Sequence, residues 1–476
     1  MKAERGLKFI LTGLFLFWSS SVQAQQGFPS FADLAEKLTP SVVNISTVHQ
    51  QDENAETGEN AFSSPNPAID RFFNQKGNNQ TALGSGFIIS EDGYIITNNH
   101  VIDQAEEITV TLSDNGTETA RLVGVDPKTD LALIKIDTKK KLTPAVLGDS
   151  DKIRVGDWVL AIGNPFGLGG SVTAGIVSAK SRDIEAGPYD NFIQTDASIN
   201  QGSSGGPMFD MNGEVIGINS AIFSTTGGSM GIGFAIPVNL AKWVVEQLKN
   251  KGEVKRGWIG IKIQPNTPEI ADSLGISANQ GVVVSGVTEQ GPAQKAGLQA
   301  GDIVLSFNRQ PIDNTKNLSR LIAETKIGTP APIEIWRSGQ KQTLTVPIEL
   351  MPEETPLSAA KETASDAAET PDNGESLNII GFTVKEISPE LAERYKLAPS
   401  TSGVVVTDIL PNSDASRKGI KIGDIIVKID KRNIIGESAF HEYVNDARRE
   451  NNRPVLLAIQ GQEALHFVAV KLMSHD

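Results

Sequence analysis

The feature that most constrains this chain is an internal repeat. GVVVSGVTEQGPAQKAGLQAGDIVLSFNRQPI begins at Gly281, and GVVVTDILPNSDASRKGIKIGDIIVKIDKRNI begins at Gly403. The two align without a gap. Each reads as an apolar strand, a turn, a short helix ending at Gly297 or Gly419, then Gly-Asp-Ile and a second strand. A self-similar stretch of this length means two copies of one small, β-rich module. The 476 residues therefore cannot form one core, and about three domains are expected. Residues 351–376, between the copies, hold seven acids and one lysine, no aromatic, and many Ala, Thr and Pro. That composition buries too little apolar surface to fold, so it reads as an acidic flexible linker.

The first half follows another pattern. The runs GFIISEDGYIIT, EITVTLSDNGTE, ARLVGV, LALIKI, WVLAIG and GEVIGI are short, apolar and bounded by glycine, Asn-Gly or Asp-Gly. These are strand and hairpin signals, and they predict an all-β domain. Helical spacing of apolar residues appears only at 31–38 and at 238–249, in PVNLAKWVVEQLK. Residues 50–81, rich in Asn, Gln, Ser and Pro, read as a long mobile loop in which Phe62, Phe72 and Phe73 are set.

At the start of the chain Lys2, Arg5 and Lys8 precede an apolar run from Phe9 to Trp18, and then Val22-Gln23-Ala24. That is the layout of a secretory signal peptide over 1–24, with cleavage expected after Ala24. The apolar run is too short to span a bilayer about 30 Å thick, so no integral membrane anchor is expected. Loss of this segment leaves a chain more acidic than the net −14 of the whole sequence. Such a charge disfavours nucleic acid and anionic lipid surfaces. There is no cysteine, which excludes a disulfide scaffold and any thiolate nucleophile or ligand. No metal site and no cofactor are expected, and no Gly-x-x-x-x-Gly-Lys-Ser/Thr loop points to ATP.

Among five histidines, His100 stands out at the end of the strand-like run IITNN. Asp130 precedes LALIKI, and Ser204 lies in the glycine-rich stretch INQGSSGGPMF. Acyl transfer by a serine needs a hydroxyl to attack and an imidazole to take its proton. It also needs a carboxylate to orient the imidazole. Glycines beside the serine let successive N–H groups converge where an oxyanion forms. Each residue alone is weak evidence of chemistry. His, Asp and Ser in that order, all at strand–turn junctions of a β-rich domain, form a specific pattern.

TNNHVI, TDLALIKI, GNPFGLGGSVTAGIVSA, QTDASINQGSSGGPMF and GIGFAIP together resemble the HtrA/DegP family of periplasmic serine endoproteases, of the DegP/DegQ/MucD-like type with two PDZ domains. The resemblance implies a multidomain protein. An all-β, chymotrypsin-like double β-barrel protease domain spans 25–252, and two PDZ domains (β-rich α+β) follow at 256–350 and 377–474. It implies a general base at His100, an orienting acid at Asp130 and a nucleophile at Ser204 rather than Ser203. The backbone amides of Gly202, Ser203 and Ser204 would form the oxyanion hole. The family most often has Asn where Ser203 stands, and because that contribution is from the backbone, activity is expected to survive. Asp196 is read as structural, holding the turns before this loop. Ile199, Ile218 and Ile232 are candidate walls of a small apolar primary pocket, and Ala221 and Ile222 could pair with substrate backbone. The PDZ carboxylate loops would be Trp258-Ile259-Gly260-Ile261 and Ile379-Ile380-Gly381-Phe382, with apolar C-terminal peptides as ligands.

The activity implied is ATP-independent cleavage of unfolded or misfolded envelope polypeptides in the periplasm. Homotrimers would assemble into hexamers or larger cages, with the 50–81 loop reaching a facing subunit. Two other readings are compatible with the residues: a holdase chaperone with secondary proteolysis, and a regulatory protease that cuts one anti-sigma factor.

Overall fold

The structure, a computed structural model, describes residues 30–48, 81–163, 170–225, 227–277, 280–352, 377–395, 397, 401–430, 432–450, 454–460 and 465–473. The leader, and nearly all of the 50–81 loop and the acidic linker, lie outside them.

Six strands close the first barrel: β1 (Val42–Val48), β2 (Thr81–Ile88), β3 (Tyr94–Thr97), β4 (Glu107–Thr111), β5 (Thr117–Asp126) and β6 (Leu131–Ile136), in the order β1-β2-β3-β6-β5-β4. LALIKI shows why the chain curls. Ala132, Ile134 and Ile136 point into the barrel core with Ile45, Ile95 and Val110. Leu131 and Leu133 face the other way, into a core shared with the second half. A strand apolar on both faces is one that is covered on both faces.

The second barrel uses β8 (Trp158–Gly163), β9 (Ser171–Arg182), β10 (Phe192–Thr195), β11 (Pro207–Phe209), β12 (Glu214–Ile222) and β13 (Gly233–Pro237). Pairing of β11 with β12 closes it, and the short β7 (Val146–Leu147) adds to β12 in parallel. Both barrels are thus six-stranded, as the resemblance implies. Between them lies one apolar layer with Phe87, Ile96, Leu160, Ile162, Phe209 and Val215.

A short helix before β1 and a longer one after β13 cover this layer. α1 (Ala32–Leu38) starts one residue later than its pattern predicts. α2 (Asn99–Ile102) is a single turn after β3. The longer α3 (Val238–Lys251) buries Ala241, Val244, Val245 and Leu248 at helical spacing. It stops at Gly252, whose φ of 73° turns its N–H onto the Leu248 carbonyl at 2.9 Å.

The repeat forms two similar sheets. The first has the order β15-β16-β17-β19-β20, from β15 (Ile261–Pro265), β16 (Val282–Val287), β17 (Ile303–Phe307), β19 (Pro330–Arg337) and β20 (Gln340–Pro347). In it β18 (Gln310–Pro311) pairs β17, and β14 (Gly257–Trp258) pairs β21 (Glu349–Leu350) apart from the main sheet. The second has the order β22-β23-β24-β26-β27, from β22 (Phe382–Glu386), β23 (Val404–Ile409), β24 (Ile425–Ile429), β26 (Val455–Gln460) and β27 (Leu465–Val470), with β25 (Arg432–Asn433) on β24. The short helices read in the repeat are Pro292–Lys295 and Asp414–Arg417. The two modules touch: Ile270, Val283, Ile303 and Leu305 pack against Leu456, Ala458, Phe467 and Ala469. The Gln264 side-chain amide both donates to and accepts from the backbone of Phe467, at 2.8 and 2.9 Å.

Candidate active site

His100 sits on α2, and Asp130 ends the 3₁₀ turn Pro127–Thr129 just before β6. Asp130 adopts φ 53°, a left-handed conformation that aspartate tolerates better than most residues. This posture lets one carboxylate hold its neighbour twice. Asp130 Oδ1 accepts the His100 backbone N–H at 3.0 Å, and Oδ2 lies 2.7 Å from His100 Nδ1. The Asp130 carbonyl accepts from Asn98 Nδ2 and from the Asn99 N–H. Asp130 is wholly buried, whereas the His100 side chain is 23% exposed. A carboxylate against Nδ1 selects the tautomer that leaves Nε2 as the base.

Ser204 comes from the loop between β10 and β11, on the second barrel. The loop is shaped by its glycines. Asn200 to Ser203 make a turn closed by Ser203 N–H on the Asn200 carbonyl at 2.9 Å, with Gly202 at φ 89°. That is the type II pattern, whose third position demands positive φ. Gly205 has φ 84°, and a Cβ there would stand 2.2 Å from the Ser85 carbonyl. Of the three amides expected to face an oxyanion, Ser203 N–H is thus engaged by Asn200. The N–H groups of Gly202 and Ser204 have no protein partner among the described residues.

The Ser204 Oγ donates to the Ser220 carbonyl at 3.2 Å, and Ser220 Oγ donates to Asp130 Oδ2 at 3.1 Å. Ser220 thereby links the serine loop of one barrel to the His–Asp pair of the other. It lies where the β12–β13 register shifts, between Asn219 and Ala221, and a bulge re-aims a side chain in this way. Sequence reasoning passed over Ser220. The available signal was a serine inside the apolar run VIGINSAIF, because a buried hydroxyl there must find a partner.

The other sequence candidates fall near this cleft in different ways. Ile199 is buried over Gly233, where a Cβ would meet Ile199 Cδ1 at 2.9 Å. Ile218 belongs to the layer between the barrels, and Ile232 packs half-buried against it. Ala221 and Ile222 are buried and pair with Phe234 and Gly233 of β13. Asp196 accepts the Ile176 N–H at 2.7 Å, tying β9 to the chain that leads into the serine loop.

The two PDZ-loop segments are built alike. The Gly260 carbonyl accepts from Thr288 N–H and the Gly381 carbonyl from Leu410 N–H, at 2.9 and 2.8 Å. Both glycines have positive φ, 76° and 86°. Ile259, Ile379, Ile380 and Phe382 are buried, and Trp258 and Ile261 half-buried. Each segment leads into an edge strand, β15 or β22, with one side unpaired by the sheet.

Residues 84–218 match the family model of the trypsin-like peptidase domain, and 257–348 and 372–460 each match the PDZ domain. A DegP-like periplasmic serine endoprotease of Brucella suis is 42% identical over 93% of this chain and 89% of its own length. One from Pseudomonas putida is 42% identical over 95% of both. Among solved structures, the HtrA-type protease AlgW with a tripeptide aligns with a TM-score of 0.57 at 42% identity, covering 68% of this chain and 99% of that one.

Proposed function

The chain belongs to the DegP-like, HtrA-type serine endoproteases, and on that premise we propose that His100, Asp130 and Ser204 act as its triad on unfolded envelope polypeptides without ATP. The observation that carries this reading is the 2.7 Å pair of His100 Nδ1 with Asp130 Oδ2, joined through Ser220 to Ser204. Ser204 Oγ attacks the scissile carbonyl as His100 Nε2 takes its proton. Asp130 stabilises the imidazolium that forms. The N–H groups of Gly202 and Ser204 receive the oxyanion, with the Ser203 N–H holding the turn that aims them. The imidazolium then protonates the leaving amine, and water repeats the sequence on the acyl-enzyme.

Ile199 and Ile232 line a primary pocket that favours small apolar residues before the cut. Substrate backbone pairs along β12 at Ala221 and Ile222, on the edge away from β13. The PDZ loops take apolar C-termini beside β15 and β22. Support comes from their edge-strand geometry and from AlgW, whose solved structures hold a tripeptide and a decapeptide. The 1–24 leader directs export to the periplasm and is cleaved from the mature chain, which works as a homotrimer or larger assembly.

Labelling with a fluorophosphonate, followed by peptide mass analysis, tests the triad. Modification at Ser204, lost in His100→Ala, agrees with it. Modification at Ser203, or labelling indifferent to His100, would contradict it.

A further inference from the structure

Ser85 lies on β2 of the first barrel, fully buried, and outside the triad. It meets the serine loop of the second barrel at two points. Its N–H donates to the Ser204 carbonyl at 2.8 Å, and its Oγ donates to the Gly202 carbonyl at 2.6 Å. Its own carbonyl accepts from Thr97 Oγ1 at 2.7 Å, and Thr97 stands three residues before His100. The space for this contact is made by glycines. A Cβ on Gly163 would stand 3.2 Å from Ser85 Oγ and 3.0 Å from Ser203 Cα, and one on Gly206 would stand 3.2 Å from Ser85 Cβ.

We infer that Ser85 is a positioning residue for the oxyanion site. This rests on the reading of Ser204 as nucleophile and of Gly202 and Ser204 as amide donors. Gly202 has wide intrinsic backbone freedom, since glycine carries no Cβ. Its N–H points usefully only if its peptide planes are fixed. The Asn200–Ser203 hydrogen bond closes the turn and the Ser229 N–H holds Asn200 Oδ1 at 2.9 Å, but neither contact fixes the Gly202 carbonyl. The Ser85 hydroxyl holds the Gly202 carbonyl, and the Ser85 amide holds the Ser204 carbonyl. Together they fix the carbonyls at both ends of the three-residue segment Gly202–Ser204, whose first and last amides receive the charge. A rigid hold matters here, because preorganised donors stabilise a transition state only when they need not reorganise during the reaction.

Ser85→Ala keeps the backbone contact and removes only the hydroxyl. Steady-state cleavage of a short peptide substrate and inhibition by a peptide boronate, which mimics the tetrahedral state, are measured on the full chain. The expected result is a fall in kcat of about 10- to 100-fold with KM changed less than about 2-fold. The boronate Ki weakens in parallel with kcat, and Ser85→Thr, which keeps the donor, recovers most of both. A merely structural role would lower thermal stability without weakening boronate binding by the folded protein. That result, or unchanged kcat in Ser85→Ala, overturns the inference. Ser204→Ala run alongside separates the two levels. If it stays active the triad reading itself fails, and if it is inactive while Ser85→Ala is normal, only the Ser85 role fails.

Discussion

Arg256 grips Asp126 in a buried, bidentate ion pair, with Nη1 and Nη2 at 3.0 and 2.6 Å from the two carboxylate oxygens. Arg256 directly precedes the PDZ match at 257–348, while Asp126 stands four residues before Asp130. The guanidinium also lies over the Tyr189 ring at 4.6 Å, and the Arg256 backbone carbonyl accepts the Met351 N–H. Asp126 in turn accepts from Thr129 Oγ1, inside the turn that presents Asp130. The first PDZ module is therefore linked, through Arg256, Asp126 and Thr129, to the turn that presents Asp130.

Removing one partner of that pair should cost more than removing both. Arg256→Ala strands a buried carboxylate, with an expected loss of about 3–5 kcal/mol. The double variant Arg256→Met, Asp126→Leu should recover a large part of that loss. Urea denaturation of the three proteins checks the order. An Arg256→Ala loss below about 1 kcal/mol would show that the pair is not desolvated in solution.

Ser220→Ala should slow peptide cleavage by about 10-fold while leaving KM nearly constant. The Asp130 carboxylate loses one of the donors that stabilise its charge, but His100 keeps its partner. A hydrogen bond to a charged group contributes about 1.5–3 kcal/mol, of which water entering the gap restores part. Equal kcat values for the two proteins would remove Ser220 from the account.

Gly205→Ala should abolish activity and lower stability. A methyl group there would press on the Ser85 carbonyl at 2.2 Å and on Thr97 Oγ1 at 2.3 Å, from a residue held at φ 84°. Gly228→Ala serves as the control, since a Cβ there meets nothing within 4 Å. Comparable activity loss in both variants would mean that general loop flexibility, not the packing around Gly205, is what matters.

Asp190 supplies a pH dependence. Burial pushes its carboxyl up to about 6, against the opposing pull of the Ala186 and Ile184 amides and of Lys316. The native state then binds more protons than the unfolded chain between the usual carboxylate range and about pH 6. Stability from this group is present in acid and lost as pH rises through that window. The difference in unfolding free energy between wild type and Asp190→Asn should fall by on the order of 1–3 kcal/mol from pH 4 to pH 7. Urea midpoints at both pH values read it, and a difference that grows with pH would contradict the assignment.

Much of this architecture is legible in the sequence. LALIKI and WVLAIG become β6 and β8 to the residue, because their turns are marked by local chemistry and their apolar runs by burial on both faces. The repeat announced two like modules, since its glycines and Gly-Asp-Ile turns are local signals as well. What stayed hidden depends on contacts between distant segments. Ser85, Ser220 and Arg256 find their partners 117, 90 and 130 residues away, and no periodicity encodes such a meeting. The same holds for Gln264, which reaches Phe467 across the two modules.

The assignment of Ser204 is met most directly by proteolysis of an unfolded model protein without ATP, wild type beside Ser204→Ala. Wild type should cut, and Ser204→Ala should be slower by about 10⁴–10⁶ while its fold is retained. Cutting by Ser204→Ala at the wild-type rate would contradict the account and place the nucleophile elsewhere.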